Sequence, residues 1–238
     1  GSSSFAAGFL RETIMKKILY SILIFLLILL NFSTVCADDV DNEVDFEDTI
    51  EVTASNVSEL PKTNSRRYIV YDRISKSMII GKNEDIKSAM ASTTKIMTTI
   101  VILEKADLNE TVTVSAKAGG TGGSRLGLKR GDKASVRDLL YGLMLRSGND
   151  AAVALAEHVG GSVKGFAELM NEKAIELGLT NTHFVTPHGL DDANHYTTAL
   201  ELAKLTDYAM DNETFAKIVG TKSTTIYINN QSRQINNT

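Results

Sequence analysis

Ser92-Thr93-Thr94-Lys95 is the only Ser-x-x-Lys quartet in the chain, and it opens the apolar stretch Ile96 to Leu103, where a helix is expected. Two side chains three residues apart on a helix share a face, so the lysine amine can reach the serine hydroxyl and take its proton. The hydroxyl is a weak nucleophile without such a base. For this task Lys95 must be neutral, which requires burial or a nearby cation to lower its pKa from the usual ~10.4. Taken alone the quartet is a weak signal, because a serine at a helix start commonly serves only as a cap.

A second group follows at Ser147-Gly148-Asn149. It falls between an amphipathic stretch and the Ala-rich run Asp150 to His158, which makes it a rigid helix-to-helix junction. Such a loop can project a hydroxyl and an amide from a packed scaffold, suited to a proton relay beside a nucleophile and a donor to substrate carbonyls. The bland alternative is a capping turn, with Ser147 or Asn149 satisfying the next helix's backbone donors.

Several elements must position these groups. Tyr68 to Asp72 and Ser77 to Gly81 are β-prone runs separated by the mostly polar Arg73 to Lys76, which predicts an antiparallel hairpin. Ser135, with Asp138 three residues on, has the pattern of a capping box, and Val136, Leu139, Leu140, Leu143 and Met144 then form one helical stripe ending near Arg146. Ser162 opens another helix, with Phe166, Leu169, Met170, Ala174 and Leu177 on one face and Gly178 placed to cap its end. Thr197 or Thr198 starts a third, carrying Leu202, Leu205 and Tyr208.

The two motifs together are far more specific than either alone, and with them the chain resembles the penicillin-binding and serine β-lactamase superfamily, whose Ser-x-x-Lys is followed by Ser-x-Asn. Ala91 to Thr98, Gly122-Gly123-Ser124, Leu126 to Asp132, Arg146 to Ala152 and Thr186 to Asp191 are similar to segments of low-molecular-mass D-Ala-D-Ala carboxypeptidases. The resemblance runs from about Arg66 to Thr238. It implies an α+β, penicillin-binding protein/serine β-lactamase-like transpeptidase fold, with a helical subdomain and an antiparallel sheet that is incomplete in this chain.

By the same resemblance Ser92 is the acyl-enzyme nucleophile, Lys95 its general base, Ser147 a proton relay and Asn149 a substrate-orienting amide. The implied substrate is the peptidoglycan pentapeptide stem ending in D-Ala-D-Ala, with β-lactam antibiotics as inhibitors and no cofactor or metal. One oxyanion donor is expected to be the backbone N–H of Ser92 and the other to lie on the strand carrying the family's Lys-Thr-Gly triplet. That triplet is absent from the sequence, since Lys222-Ser223-Thr224 lacks the glycine and sits too early. The expectation is therefore an inactive N-terminal part of a catalytic domain, 66–238, truncated before its third motif.

The remaining residues point to export. Met15-Lys16-Lys17, the apolar run Ile18 to Leu30 and Val35-Cys36-Ala37 have the order of a secretory signal peptide over 15–37, and the run is too short for the ~20 residues that cross a bilayer. Residues 1–14 are read as a tag or an over-extended start, and 38–65 as an acidic flexible leader. Cys36 is the only cysteine, so the exported part holds no disulfide. Removing Arg11, Glu12, Lys16 and Lys17 takes the net charge from −4 to −6, which argues against nucleic acid as a partner. The expected location is the outer face of the cytoplasmic membrane, the cell wall or the periplasm, with membrane association through an uncleaved leader or a C-terminal anchor.

Three other readings compete. A class A β-lactamase needs a deacylating Glu, for which Glu176 near Asn181 has the wrong spacing. A zinc hydrolase would draw on His183, His188, Asp191 and His195, none spaced as His-Glu-x-x-His. The third is a non-catalytic secreted cell-wall-binding fragment.

Overall fold

The computed structural model describes residues 63–190 and 192–237. The stretch read as a signal peptide, the segment before it and nearly all of the stretch read as an acidic leader lie outside the described residues. The first element is the expected hairpin. β1 (Tyr68–Asp72) pairs antiparallel with β2 (Ser77–Lys82), and the Asp72 carboxylate accepts from the Ile74 and Ser75 N–H groups to hold the turn.

A 3-10 turn, Ala91–Thr94, leads into α1 (Lys95–Lys105), so Ser92 precedes the α-helix and Lys95 is its first residue. β3 (Thr111–Thr113), α2 (Ala116–Gly120) and β4 (Lys133–Ser135) follow, with β3 and β4 paired antiparallel. The Ser135 hydroxyl accepts from Asp138 N–H at 3.0 Å and opens α3 (Val136–Arg146), as the capping pattern predicts. Val136, Leu139, Leu140 and Leu143 are fully buried on it, while Met144 is half-buried.

α4 (Asn149–Gly160) packs against α1, α2, α3 and α5. Its residues Asn149 to Ala156 are all buried, and their small side chains let four neighbours approach one helix. α5 (Val163–Glu176) is capped by Ser162 and closed at Gly178, which takes φ +68°, a left-handed value natural to glycine. α6 (Ala199–Met210) is capped by Thr198, whose hydroxyl accepts from Glu201 N–H at 3.1 Å. Tyr208, expected on its apolar stripe, is partly exposed and donates to Glu104 on α1.

α7 (Glu213–Val219) and the hairpin β5 (Ser223–Ile228) with β6 (Gln231–Asn236) complete the described chain. The Asn229-Asn230 turn takes φ +53° and +61°, and Asn229 exchanges backbone and side-chain bonds with Lys133 on β4. Each of the three sheets among the described residues is two-stranded. Helices and small antiparallel sheets together give the expected α+β class. One apolar core joins α1, α3, α4 and α5 to Ile226, Ile228 and Ile235 of the last hairpin. The first hairpin is tied to α6 by Arg73 and Lys76, both donating to the Asp207 carboxylate.

Candidate active site

The nucleophile turn is left-handed at Ala91, φ +46°, a conformation that costs an ordinary residue roughly 1 kcal/mol or more. Just after it Ser92 is exposed, while Lys95, one turn on, is buried to 2% exposure. Lys95 Nζ lies 3.0 Å from Ser92 Oγ and donates to the His188 carbonyl at 3.0 Å. Burial lowers the Lys95 pKa to about 8. The base required by the Ser-x-x-Lys reading is thus created by desolvation, the first of its two expected routes.

Ser147 ends α3 in the left-handed region at φ +51°, where glycine or asparagine is the usual occupant. Its hydroxyl donates to Ser92 Oγ at 3.0 Å. The capping alternative fails here, because the Ser147 hydroxyl reaches Ser92 and the Asn149 side chain reaches Gly122 O, neither of them a backbone donor of α4. The Ser92 oxygen therefore meets the amine that opens α1 and a hydroxyl from the α3–α4 junction.

Asn149 is buried and its amide is turned to the neighbouring loop. Its side-chain Nδ2 donates to Gly122 O at 2.8 Å and its backbone N–H donates to Ser124 O at 2.8 Å. Among the described residues its Oδ1 is a buried side-chain acceptor without a hydrogen-bond partner. Gly123 keeps this contact possible: a Cβ there would stand 2.6 Å from Asn149 Nδ2.

Sequence reasoning passed over Asp150. This carboxylate is fully buried and accepts from the backbone N–H groups of Leu126, Gly127 and Leu128, each at 2.8 Å. It anchors the loop that carries Ser124, whose carbonyl holds Asn149. The available signal was a lone acidic residue heading an apolar, Ala-rich helix. The loop around His188, marked in the sequence by its resemblance and as a zinc candidate, has a part the sequence did not show: it supplies Lys95 with its acceptor and supplies Thr98 Oγ1 with Pro187 O at 2.7 Å. The His188 ring is neutral, its pKa lowered to about 4 by burial and then by Lys95, and its Nδ1 accepts from Leu190 N–H.

Of the residues weighed for zinc, Asp191 lies outside the described residues, and among the described residues no three His, Cys, Asp or Glu side chains converge on one point. His183 is bonded to Asn194 O and His195 to Thr94 and Val185. Glu176, weighed as a deacylating base, is paired with Lys173 on α5.

A serine whose oxygen contacts a buried, pKa-lowered lysine and a second serine has the arrangement that acyl transfer requires. Residues 53–238 match the peptidase S11 family, described as D-alanyl-D-alanine carboxypeptidase. The chain belongs to that family. It is 42% identical over 163 residues to D-alanyl-D-alanine carboxypeptidase DacC of Escherichia coli and 37% identical over 158 residues to DacF of Bacillus subtilis. Each alignment covers 64% of this chain and 41% of the relative, so the chain spans about two fifths of the length of these curated relatives. Among solved structures, D-alanyl-D-alanine carboxypeptidase from Mycobacterium tuberculosis superposes with TM-score 0.71 at 34% identity, covering 75% of this chain and 68% of the other. A mutant of Streptomyces K15 DD-transpeptidase gives TM-score 0.71 at 33% identity, covering 75% of each chain. The fold is that of the penicillin-binding DD-peptidases.

Proposed function

We propose that this chain carries the acylation centre of a serine-type D-Ala-D-Ala carboxypeptidase acting on peptidoglycan pentapeptide stems. The observation that carries the reading is the convergence of Lys95 Nζ and Ser147 Oγ on Ser92 Oγ, each at 3.0 Å. Neutral Lys95 takes the Ser92 proton, and Oγ adds to the carbonyl carbon of the penultimate D-Ala. The C–N bond then breaks, and the terminal D-Ala leaves as its amine receives a proton through Ser147. Water attacks the resulting ester, releases the shortened stem and restores Ser92. Asn149 orients the stem once its amide turns from Gly122 O to a substrate carbonyl.

β-Lactams imitate the same carbonyl and acylate the same oxygen. Slow hydrolysis of that ester makes them inhibitors, a reading supported by the pairing of Glu176 with Lys173. Such a substrate lies outside the cytoplasm, and the signal-like residues 15–37 agree with export. The test is to treat a version carrying the family's Lys-Thr-Gly triplet with a fluorescent penicillin and map the adduct by peptide mass; residues 38–238 alone, which lack that triplet, are expected to label slowly or not at all. The adduct is expected on Ser92 and absent from Ser92→Ala; an adduct on Ser147 or any other serine would overturn the assignment.

A further inference from the structure

His195 is 3% exposed and lies between the two segments that enclose Lys95. Its Nδ1 is 3.0 Å from Val185 N–H and 3.4 Å from Thr186 N–H, and both of these can only donate. Nδ1 is therefore the bare nitrogen and the ring proton is on Nε2, which donates to Thr94 Oγ1 at 2.7 Å. Thr94 is the residue before Lys95, and Val185 begins the loop whose His188 carbonyl accepts from Lys95 Nζ. One imidazole thus joins both walls of the lysine's pocket.

We propose that His195 is a positioning residue for the general base: its neutral ring ties the Ser92–Lys95 turn to the 185–190 loop and so keeps water away from Lys95. The proposal rests on the acyl-transfer reading only through the role given to Lys95. The 187–189 half of the loop is also held by the Thr98–Pro187 bond and by the tight backbone approach of Gly189 to Ala91. At its other end Asn171 bonds both the N–H and the C=O of Phe184 and His183 pairs with Tyr196, and His195 is what links that end to Thr94. The ring edge also meets Phe184, with centroids 5.7 Å apart.

The groups bearing on its proton are Asp192, which favours protonation, and His183, which opposes it, with burial the largest effect and the pKa lowered in consequence. The neighbouring loop adds the neutral His188 and, behind it, Lys95. Protonation at Nδ1 would leave Val185 N–H facing another donor.

The experiment follows two nuclei in the full chain. Long-range proton–nitrogen spectra report which His195 nitrogen bears the proton, and the Lys95 Cε shift, assigned with Lys95→Arg, reports the midpoint of its titration. Wild type is expected to show the Nε2–H form and a Lys95 midpoint near 8. In His195→Phe the tie between Thr94 and the loop is lost, water enters, and the midpoint rises by one unit or more, so acylation by penicillin at pH 7 falls about tenfold or further. His195→Gln keeps one donor and one acceptor, and should restore both the midpoint and the rate. Thr94→Val, which removes only the other end of the bond, carries the test should His195→Phe not fold.

A folded His195→Phe or Thr94→Val with the wild-type midpoint overturns the proposal, as does a ring proton on Nδ1 in wild type. A shifted midpoint in a protein that penicillin never acylates, even with the family's Lys-Thr-Gly triplet supplied, upholds the brace and removes the acyl-transfer reading instead.

Discussion

Gly189 approaches Ala91 so closely that a Cβ placed on it would stand 1.8 Å from the Ala91 carbonyl oxygen and 2.6 Å from Thr94 Oγ1. The nucleophile turn and the loop that supplies Lys95 with its acceptor meet backbone to backbone. Gly189 also has φ +83°, so an added side chain is disfavoured by its own conformation as well as by the contact. Gly189→Ala should therefore destabilise the fold by at least ~2 kcal/mol in a denaturant titration. Acylation of Ser92 should slow in whatever fraction still folds; unchanged stability and labelling would show that the two segments part readily.

Under the proposed acyl transfer, Lys95 sets the pH dependence. Its folded pKa is lowered to about 8 by burial, so the neutral, proton-accepting form grows as pH rises and saturates above that value. At pH 7 roughly a tenth of the molecules hold a neutral Lys95. The rate of acylation should climb about tenfold per pH unit below 7 and level off above ~8. Lys95→Arg, permanently charged, should abolish the reaction at every pH. Stopped labelling with fluorescent penicillin from pH 5 to 9 measures the curve, and a flat profile would rule out proton abstraction by this amine.

Ser147 touches Ser92 from the α3–α4 junction, not from the turn that carries Ser92. Its left-handed backbone points to a hydroxyl retained for its reach rather than for helix capping. Ser147→Ala should lower the acylation rate by about 10²-fold, the lower end of what one proton-transfer group contributes. Because the position already strains an ordinary side chain, Ser147→Gly should slightly stabilise the protein while losing the same activity. Thermal unfolding and labelling of the two variants together separate strain from chemistry.

Asp150 should matter to the fold before it matters to the reaction. Its removal in Asp150→Ala leaves the N–H groups of Leu126, Gly127 and Leu128 without their acceptor, at a cost of ~1–3 kcal/mol for each that stays buried and unpaired. A loss of about 3 kcal/mol in chemical denaturation is expected, accompanied by faster hydrogen exchange at residues 126–128. Full retention of stability would mean that water substitutes for the carboxylate.

Much of this protein was written locally. The first hairpin, the Ser135, Ser162 and Thr198 caps and the apolar stripes of α3 and α5 follow from side-chain periodicity and capping chemistry, which act over a few residues. The Ser92–Lys95 contact was legible for the same reason, since three residues of helical spacing determine it. Short elements were missed: α2, α7, the β3–β4 pair and the β5–β6 hairpin have weak patterns and are held by partners distant in sequence, such as Asn229 on Lys133.

The site's remaining chemistry is likewise nonlocal. No spacing rule brings Ser147 to Ser92 across 55 residues, or His188 to Lys95 across 93. Both depend on α4 packing at the centre of the helices and on a glycine that lets the loop touch the nucleophile turn. Sequence alone determined which side chains could react, because reactivity begins with residue type. Only the tertiary structure decided that Lys95 is dry enough to lose its proton near pH 8, because desolvation comes from whatever the rest of the chain packs against it.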